Sequence, residues 1–227
     1  MNIPKNSSTY VDYLDYYPKN IPQCEETWAP KELKLISKLN KFVKGKVEGN
    51  YCYKHGTVLE EKTEPIKERS WKRQYLREAV KGCKQGLEIG FNAGHSAAII
   101  LMANDQMTLN TIDICRYKYT LSTAKFMHKY WKGRFGFYAG SSQAVIKKYE
   151  FLKLDFIHVD GGHGIADFFF DVDFCERSLK PGGKVVIDDA YLPDYIKYIG
   201  YKLQQKVFTI PEGIRRSSGE NLLLEKL

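Results

Sequence analysis

Residues 87–96 read Leu87-Glu88-Ile89-Gly90-Phe91-Asn92-Ala93-Gly94-His95-Ser96. A short apolar run stops at a glycine, four turn-forming positions follow, and a second apolar run begins. The first run suits a strand, Gly86–Ile89, and the second suits a helix, Ser96–Asn104. Gly90 and Gly94 allow a tight turn whose backbone can come close to a ligand. The spacing is G-x-x-x-G, not the G-x-G-x-x-G cradle of dinucleotide folds, so a pyrophosphate is the weaker match.

Outward from this turn the same texture repeats. Strands are expected at 108–114, 136–139, 155–159 and 184–187, alternating with helices at 120–131, 142–149 and 165–179. Such alternation is the pattern of right-handed βαβ units and a parallel sheet covered on both faces. The end differs: a helix at 195–204 precedes two strands, 206–210 and 221–227, joined by a turn-rich segment. Two strands with no helix between them pair antiparallel, so one edge of the sheet should be mixed. Before the turn, Leu35, Ile36, Leu39, Phe42 and Val43 have helical spacing from Pro30 to about Gly45, and a second helix fits 70–81 with Ser70 as cap and Gly82 as stop. Residues 46–69 read as loop with some helix, and residues 1–24, with Pro4, Pro18 and Pro22, as an irregular arm. The expected organisation is an N-terminal arm and helices over 1–82 that cap a catalytic unit over 83–227.

In an open α/β sheet, ligands bind beyond the carboxyl ends of the strands. Four such ends carry informative residues. Glu88 is an anion suited to an ammonium group, while Ser96 and the amides of the following helix suit a carboxylate. Asp113, about twenty residues beyond the glycine turn, suits two ribose hydroxyls. Gly140-Ser141-Ser142-Gln143 offers small polar groups to an adenine edge. Amino acid, ribose and adenine together describe S-adenosylmethionine. Asp160 ends one strand, in IHVDGGH, and Asp188 with Asp189 ends the next, in VVIDDA. Neighbouring strands lie about 5 Å apart, so these acids can converge, and carboxylates that close repel unless a metal or protons neutralise them. Oxygen ligands alone favour Mg²⁺, Mn²⁺ or Ca²⁺ over zinc. The blander alternatives are a cap or turn for Asp188-Asp189, a turn acid for Asp160 and a helix-start residue for His163.

LEIGFNAGHSA, TIDI, GSSQ, FIHVDGGH and KPGGKVVIDDA resemble the successive motifs of class I S-adenosylmethionine-dependent methyltransferases. The nearest resemblance is to the metal-dependent O-methyltransferases of the catechol and macrocin kinds, and it covers roughly residues 83–195. It implies a Rossmann-like α/β fold, a seven-stranded, mostly parallel sheet with an antiparallel last strand, here with an N-terminal helical extension. It also implies a cofactor site lined by Glu88, Gly90, Gly94, Ser96, Asp113, Ser142 and Gln143, together with Phe91, Asn92, Ser141 and Asp160 of the same loops. Asp160, Asp188 and Asp189 match the acids that hold a divalent cation, Mg²⁺, in the macrocin kind. The catechol kind carries a lysine base three residues after its first acid; here that position is His163, expected with Asp160 to serve catalysis.

Composition bounds the rest. At 227 residues with 43% hydrophobic content, one domain with an extension is expected. No apolar run approaches the roughly 18 residues of a membrane helix, and the first residues lack a secretory pattern, so a cytoplasmic protein is expected with no membrane partner. Five scattered cysteines read as reduced thiols, and Cys52 with His55 lacks a second pair at zinc-site spacing. The net charge of +8 is concentrated in residues 31–84, which hold fifteen Lys and Arg against seven Asp and Glu. The leading expectation is O-methylation of a hydroxyl on a small molecule such as a sugar, phenol or natural-product precursor. The alternative is a nucleic-acid (RNA) methyltransferase using the basic segment, and a third is a cofactor-binding scaffold without catalysis. A homo-oligomer is compatible with all three.

Overall fold

A computed structural model describes residues 26–151, 153–162, 164–211 and 221–227. Two helices come first, α1 (Pro30–Asn40) and α2 (Ser70–Ala79). Then follow β1 (Gln85–Ile89), α3 (His95–Ala103), β2 (Thr108–Asp113), α4 (Lys118–Tyr130), β3 (Phe135–Ala139), α5 (Ser142–Lys148), β4 (Leu154–Val159) and α6 (Ile165–Ser178). The chain closes with β5 (Leu179–Ile187), α7 (Pro193–Gln204), β6 (Phe208–Thr209) and β7 (Leu222–Lys226). The sheet order is β3-β2-β1-β4-β5-β7-β6, parallel except that β7 runs antiparallel to both β5 and β6. The expected mixed edge is therefore present, with β7 inserted between its two neighbours.

Strand side chains alternate between two apolar layers. Phe156, Val186 and Leu223 enter a cluster with α1 to α4, while Ile157, Val185, Leu222 and Leu224 enter a second cluster with α6 and α7. Both faces are thus dry, as in a doubly covered sheet. Helix α3, HSAAIILMA, has seven of its nine residues buried. A helix apolar on all sides has to be covered on all sides. Leu35, Ile36 and Leu39 of α1 and Leu76 and Ala79 of α2 share its cluster, so the N-terminal helices belong to the same core as the sheet. Ser70 is a correction to the expected cap: a 3₁₀ turn, Lys67–Arg69, runs directly into α2, the Ser70 amide bonds to the Lys67 carbonyl, and Arg69 takes the cap position. Between α1 and this turn the chain is loop with one isolated antiparallel bridge, Lys46 to Val58. Among the described residues, no helix is long and apolar enough to cross a membrane.

Strand order reverses between β1 and β4, and that crevice positions the site. The first residue beyond each strand is still held by its neighbour. Gly90 donates to the Ile112 carbonyl at 2.9 Å, Asp160 to Ile89 at 2.8 Å, Asp188 to Val159 at 2.9 Å and Gly140 to Asp113 at 2.8 Å. Gly90, Asp113, Gly140, Asp160 and Asp188 therefore lie along one edge, with their separation set by strand spacing.

Candidate active site

Above this edge lies a cavity of about 460 Å³. One end is built by the β1–α3 turn. Gly90 has φ +98° and a Cβ placed there would sit 1.7 Å from the Asp160 carbonyl oxygen, so only glycine fits between the two loops. Asn92, at φ +50°, donates its amide to Asp113 Oδ2 at 2.7 Å and its side-chain nitrogen to Glu48 Oε2 at 3.1 Å, and it accepts from the Tyr119 hydroxyl at 2.8 Å. Asp113 Oδ1 accepts from the Cys115 amide at 2.6 Å. The acid is thereby fixed as both a turn brace and a wall residue. Gly90, Phe91, Asn92, Ser96, Asp113, Ser141, Ser142 and Asp160 all line the cavity, so one space gathers residues that the sequence left on four separate loops.

Three expected residues stand elsewhere. Gly94 does not line the cavity; at φ +79° it turns the chain into α3, and a Cβ there would meet the Phe91 ring at 2.6 Å and Met127 Sδ at 2.7 Å. Gln143 is half-buried and donates to Asp167 Oδ1 at 3.0 Å. Glu88 is fully buried behind the turn, on the α1–α4 side of β1, with Oε1 3.0 Å from His158 Nδ1. Side chains alternate along a strand, and the register that sends Leu87 and Ile89 to one layer sends Glu88 to the other. His158 Nε2 lies 2.8 Å from the Tyr51 hydroxyl, which also pairs with Asn221 Nδ2. The chain of bonds ties β1, β4, the N-terminal loop and the residue before β7 together. His163 lies outside the described residues.

The other end of the cavity holds the acids. Asp188 is 9% exposed and follows β5; Asp189 follows at φ +53° and also faces the cavity. Lys72 of α2, 3% exposed, brings its ammonium 2.7 Å from Asp188 Oδ1 and 2.9 Å from Oδ2, and 4.7 Å from the centre of the Tyr51 ring. Asp188 Oδ1 also accepts the Asp189 amide at 3.0 Å. Burial and then the charge of Asp188 hold the Asp160 carboxyl well above the usual range; burial would raise Asp188 too, but the Lys72 charge and hydrogen bonds bring it below. Burial and the Asp188 charge thus favour the protonated form of Asp160, while Lys72 favours the charged form of Asp188. The crowding of acids noted in the sequence is met by these opposite shifts and by the lysine.

A divalent cation fits this arrangement poorly. Both oxygens of Asp188 are committed to Lys72, and among the described residues no group of three or more His, Cys, Asp or Glu side chains is arranged to hold a metal ion. Lys72 was missed because it was counted with the basic segment. A signal existed: Lys72 stands three, four and seven residues before Tyr75, Leu76 and Ala79, on the stripe that α2 buries. Part of the basic excess is consumed inside the fold in the same way, since Arg73 pairs with Glu26 and Arg77 with Glu32. Cys52 is buried and free while His55 is exposed at the cavity mouth, which separates that pair. Phe168 and Phe169 stack on Tyr195 and Tyr198 of α7 at 3.5 and 3.9 Å, as core residues.

Residues 87–190 match a family described as methyltransferase domain. That match spans a little under half of the chain, from β1 to the residues just after β5, and it is to a methyltransferase domain that this stretch is similar. A structure from Corynebacterium glutamicum is similar over 95% of this chain and 96% of its own, with a TM-score of 0.58 at 15% identity. CalS11, described as a TDP-rhamnose 3'-O-methyltransferase of calicheamicin biosynthesis, is similar over 68% of this chain and 76% of its own, with a TM-score of 0.52 at 11% identity. At these identities the likeness concerns the fold alone. No curated protein matches the chain.

Asp171 lies beneath the cavity, 1% exposed, hydrogen-bonded by Ser142 and pushed up to about 7, chiefly by burial. The unfolded chain releases this proton near pH 3.9. Between about pH 4 and 7 the folded state binds more protons, so the fold loses stability as pH rises through that window. Asp171→Asn should remove this slope and be the more stable protein at pH 8, by about 2 kcal/mol. Urea unfolding at pH 5 and pH 8 measures it; parallel curves for the two proteins would show that Asp171 titrates normally.

Proposed function

We propose that this protein is a class I, S-adenosylmethionine-dependent methyltransferase that moves the methyl group of its cofactor to a hydroxyl oxygen of a small molecule. The observation that carries the reading is that one cavity joins the β1, β2 and β3 loops to the acid pair Asp160–Asp188. The hydroxyl oxygen attacks the methyl carbon in line; the new C–O bond forms as the C–S bond breaks, the sulfonium departs as a thioether, and the hydroxyl proton goes to a base. In this reading Phe91, Asn92 and Ser96 with the α3 amides receive the amino acid part, Asp113 the ribose, and Ser141 and Ser142 the adenine edge. Glu88 supports the turn from behind. Asp160 borders cofactor and acceptor alike, and His163, three residues on in sequence, is the proposed base. Glu48, Asn50, His55, Arg69 and Lys72 bring the N-terminal segment to the cavity wall, which supports its proposed role as the cap that selects the acceptor. The divalent cation expected from Asp160, Asp188 and Asp189 is left out, because Lys72 holds the central acid.

The test starts with calorimetry of S-adenosylhomocysteine binding and continues with transfer of labelled methyl groups to a panel of phenols and sugars. Binding with transfer to hydroxyls supports the proposal; transfer only to amines or to RNA would overturn it. His163→Ala should lower transfer about 100-fold or more while leaving S-adenosylhomocysteine affinity within a few-fold. Undiminished turnover in that variant would remove His163 as the base.

A further inference from the structure

Lys72 reaches the acid pair from outside the βαβ unit. Helix α2 buries Tyr75, Leu76 and Ala79, and this packing fixes the backbone from which the Lys72 stem extends between the Tyr51 ring and the end of β5. Its ammonium spans the two oxygens of Asp188, beside the Asp160 carboxyl, and the side chain forms part of the cavity wall. Burying an ammonium is costly unless it is paired, and pairing it at a reaction cavity preorganises a positive charge that water would otherwise have to supply. The ends of β4 and β5 are also where the three acids were expected to gather a divalent cation.

We propose that Lys72 supplies the fixed cation of the acceptor site: its ammonium takes the place of a divalent ion at the carboxyl ends of β4 and β5 and holds the acceptor oxygen by charge and hydrogen bonding. The inference rests on the O-methylation reading for what the site binds, and on geometry alone for what fills it. An ammonium brings one charge and three donors on a flexible stem, so it neutralises a developing oxyanion without demanding an octahedral shell. The cation is then built into the fold and cannot be lost to a chelator. Lys72 and Asp188 lie 116 residues apart in the chain.

The experiment uses Mn²⁺ alone as the probe. Wild-type protein, freed of metals with EDTA, is titrated with Mn²⁺ to about 1 mM and followed by electron paramagnetic resonance, next to Lys72→Met, Lys72→Arg and the double variant Lys72→Met/Asp188→Asn. The expected result is that wild type and Lys72→Arg leave the free Mn²⁺ signal undiminished. Lys72→Met, which strips the cation and leaves the carboxylates, should bind Mn²⁺ at least about tenfold more tightly than wild type, and the double variant should lose that gain. S-adenosylhomocysteine binding by each variant reports that it is folded. If Lys72→Met does not fold, the wild-type titration decides: no Mn²⁺ binding upholds the proposal. Tight Mn²⁺ binding by wild type, or a folded Lys72→Met that binds no more than wild type, would overturn it. Absence of S-adenosylhomocysteine binding or hydroxyl methylation by wild type would refute the functional reading instead, and the Mn²⁺ result would still stand on its own.

Discussion

Gly90→Ala should abolish cofactor binding and cost the fold about 4 kcal/mol or more, among the largest effects of any single methyl group in this chain. The added carbon would lie 1.7 Å from the Asp160 carbonyl oxygen and 2.5 Å from its carbonyl carbon. Both are backbone atoms, so no side chain can swing aside; the β1 turn and the β4 loop would have to separate. That separation breaks the bond from the Asp160 amide to the Ile89 carbonyl, which aligns the two loops. The φ of +98° adds strain for any residue with a Cβ. Gly94→Ala is the informative contrast, because its Cβ would meet the Phe91 ring and the Met127 thioether, side chains that can shift. It should lose stability yet retain measurable S-adenosylhomocysteine binding. Urea unfolding and calorimetry on both variants check this; a Gly90→Ala protein that binds S-adenosylhomocysteine normally would refute the close contact.

Asp188→Ala should cost about 3–5 kcal/mol, because it leaves the Lys72 ammonium buried with its main partner gone. With 4% of the lysine side chain and 8% of the aspartate side chain exposed, solvent screens the pair weakly. Lys72→Met alone should cost a similar amount, since it leaves the Asp188 charge without its ammonium. Removing both charges at once, in Lys72→Met/Asp188→Leu, should cost far less than the sum of the single changes, because replacing a buried pair by apolar groups of similar volume is often close to neutral. The double-mutant cycle by urea unfolding at pH 7 isolates the coupling. Additive single effects would mean that the two groups do not interact across the α2–β5 contact. A stable double variant would also show that the pair is retained for what it does at the cavity and not for holding the fold.

Local signals carried most of the architecture. The alternation of short apolar runs with helical periods marked the strands from β1 to β7 to within two residues, except that β5 begins at Leu179, five residues before the expected start, and the glycines around Phe91 marked the turn at the head of the cavity. Asp113, Ser141, Ser142 and Asp160 were legible as cavity residues because Asp113 ends a strand and the others follow one, and strand ends in a parallel sheet point the same way. Glu88 misled for a physical reason. Standing next to the turn in sequence does not say which face of the strand its carboxylate takes, and strand alternation buried it with His158.

Fold class and the glycine turn at the head of the cavity follow from patterns a few residues long, since strands and tight turns depend on periodicity and on glycine. What neutralises the acids at the ends of β4 and β5 depends on a contact between residues 72 and 188, which no local pattern specifies. Only the packing of α2 against the sheet brings that lysine to Asp188, and only the folded surroundings of Asp160 raise its carboxyl, because electrostatics inside a protein is set by distance and solvent exclusion and not by position along the chain.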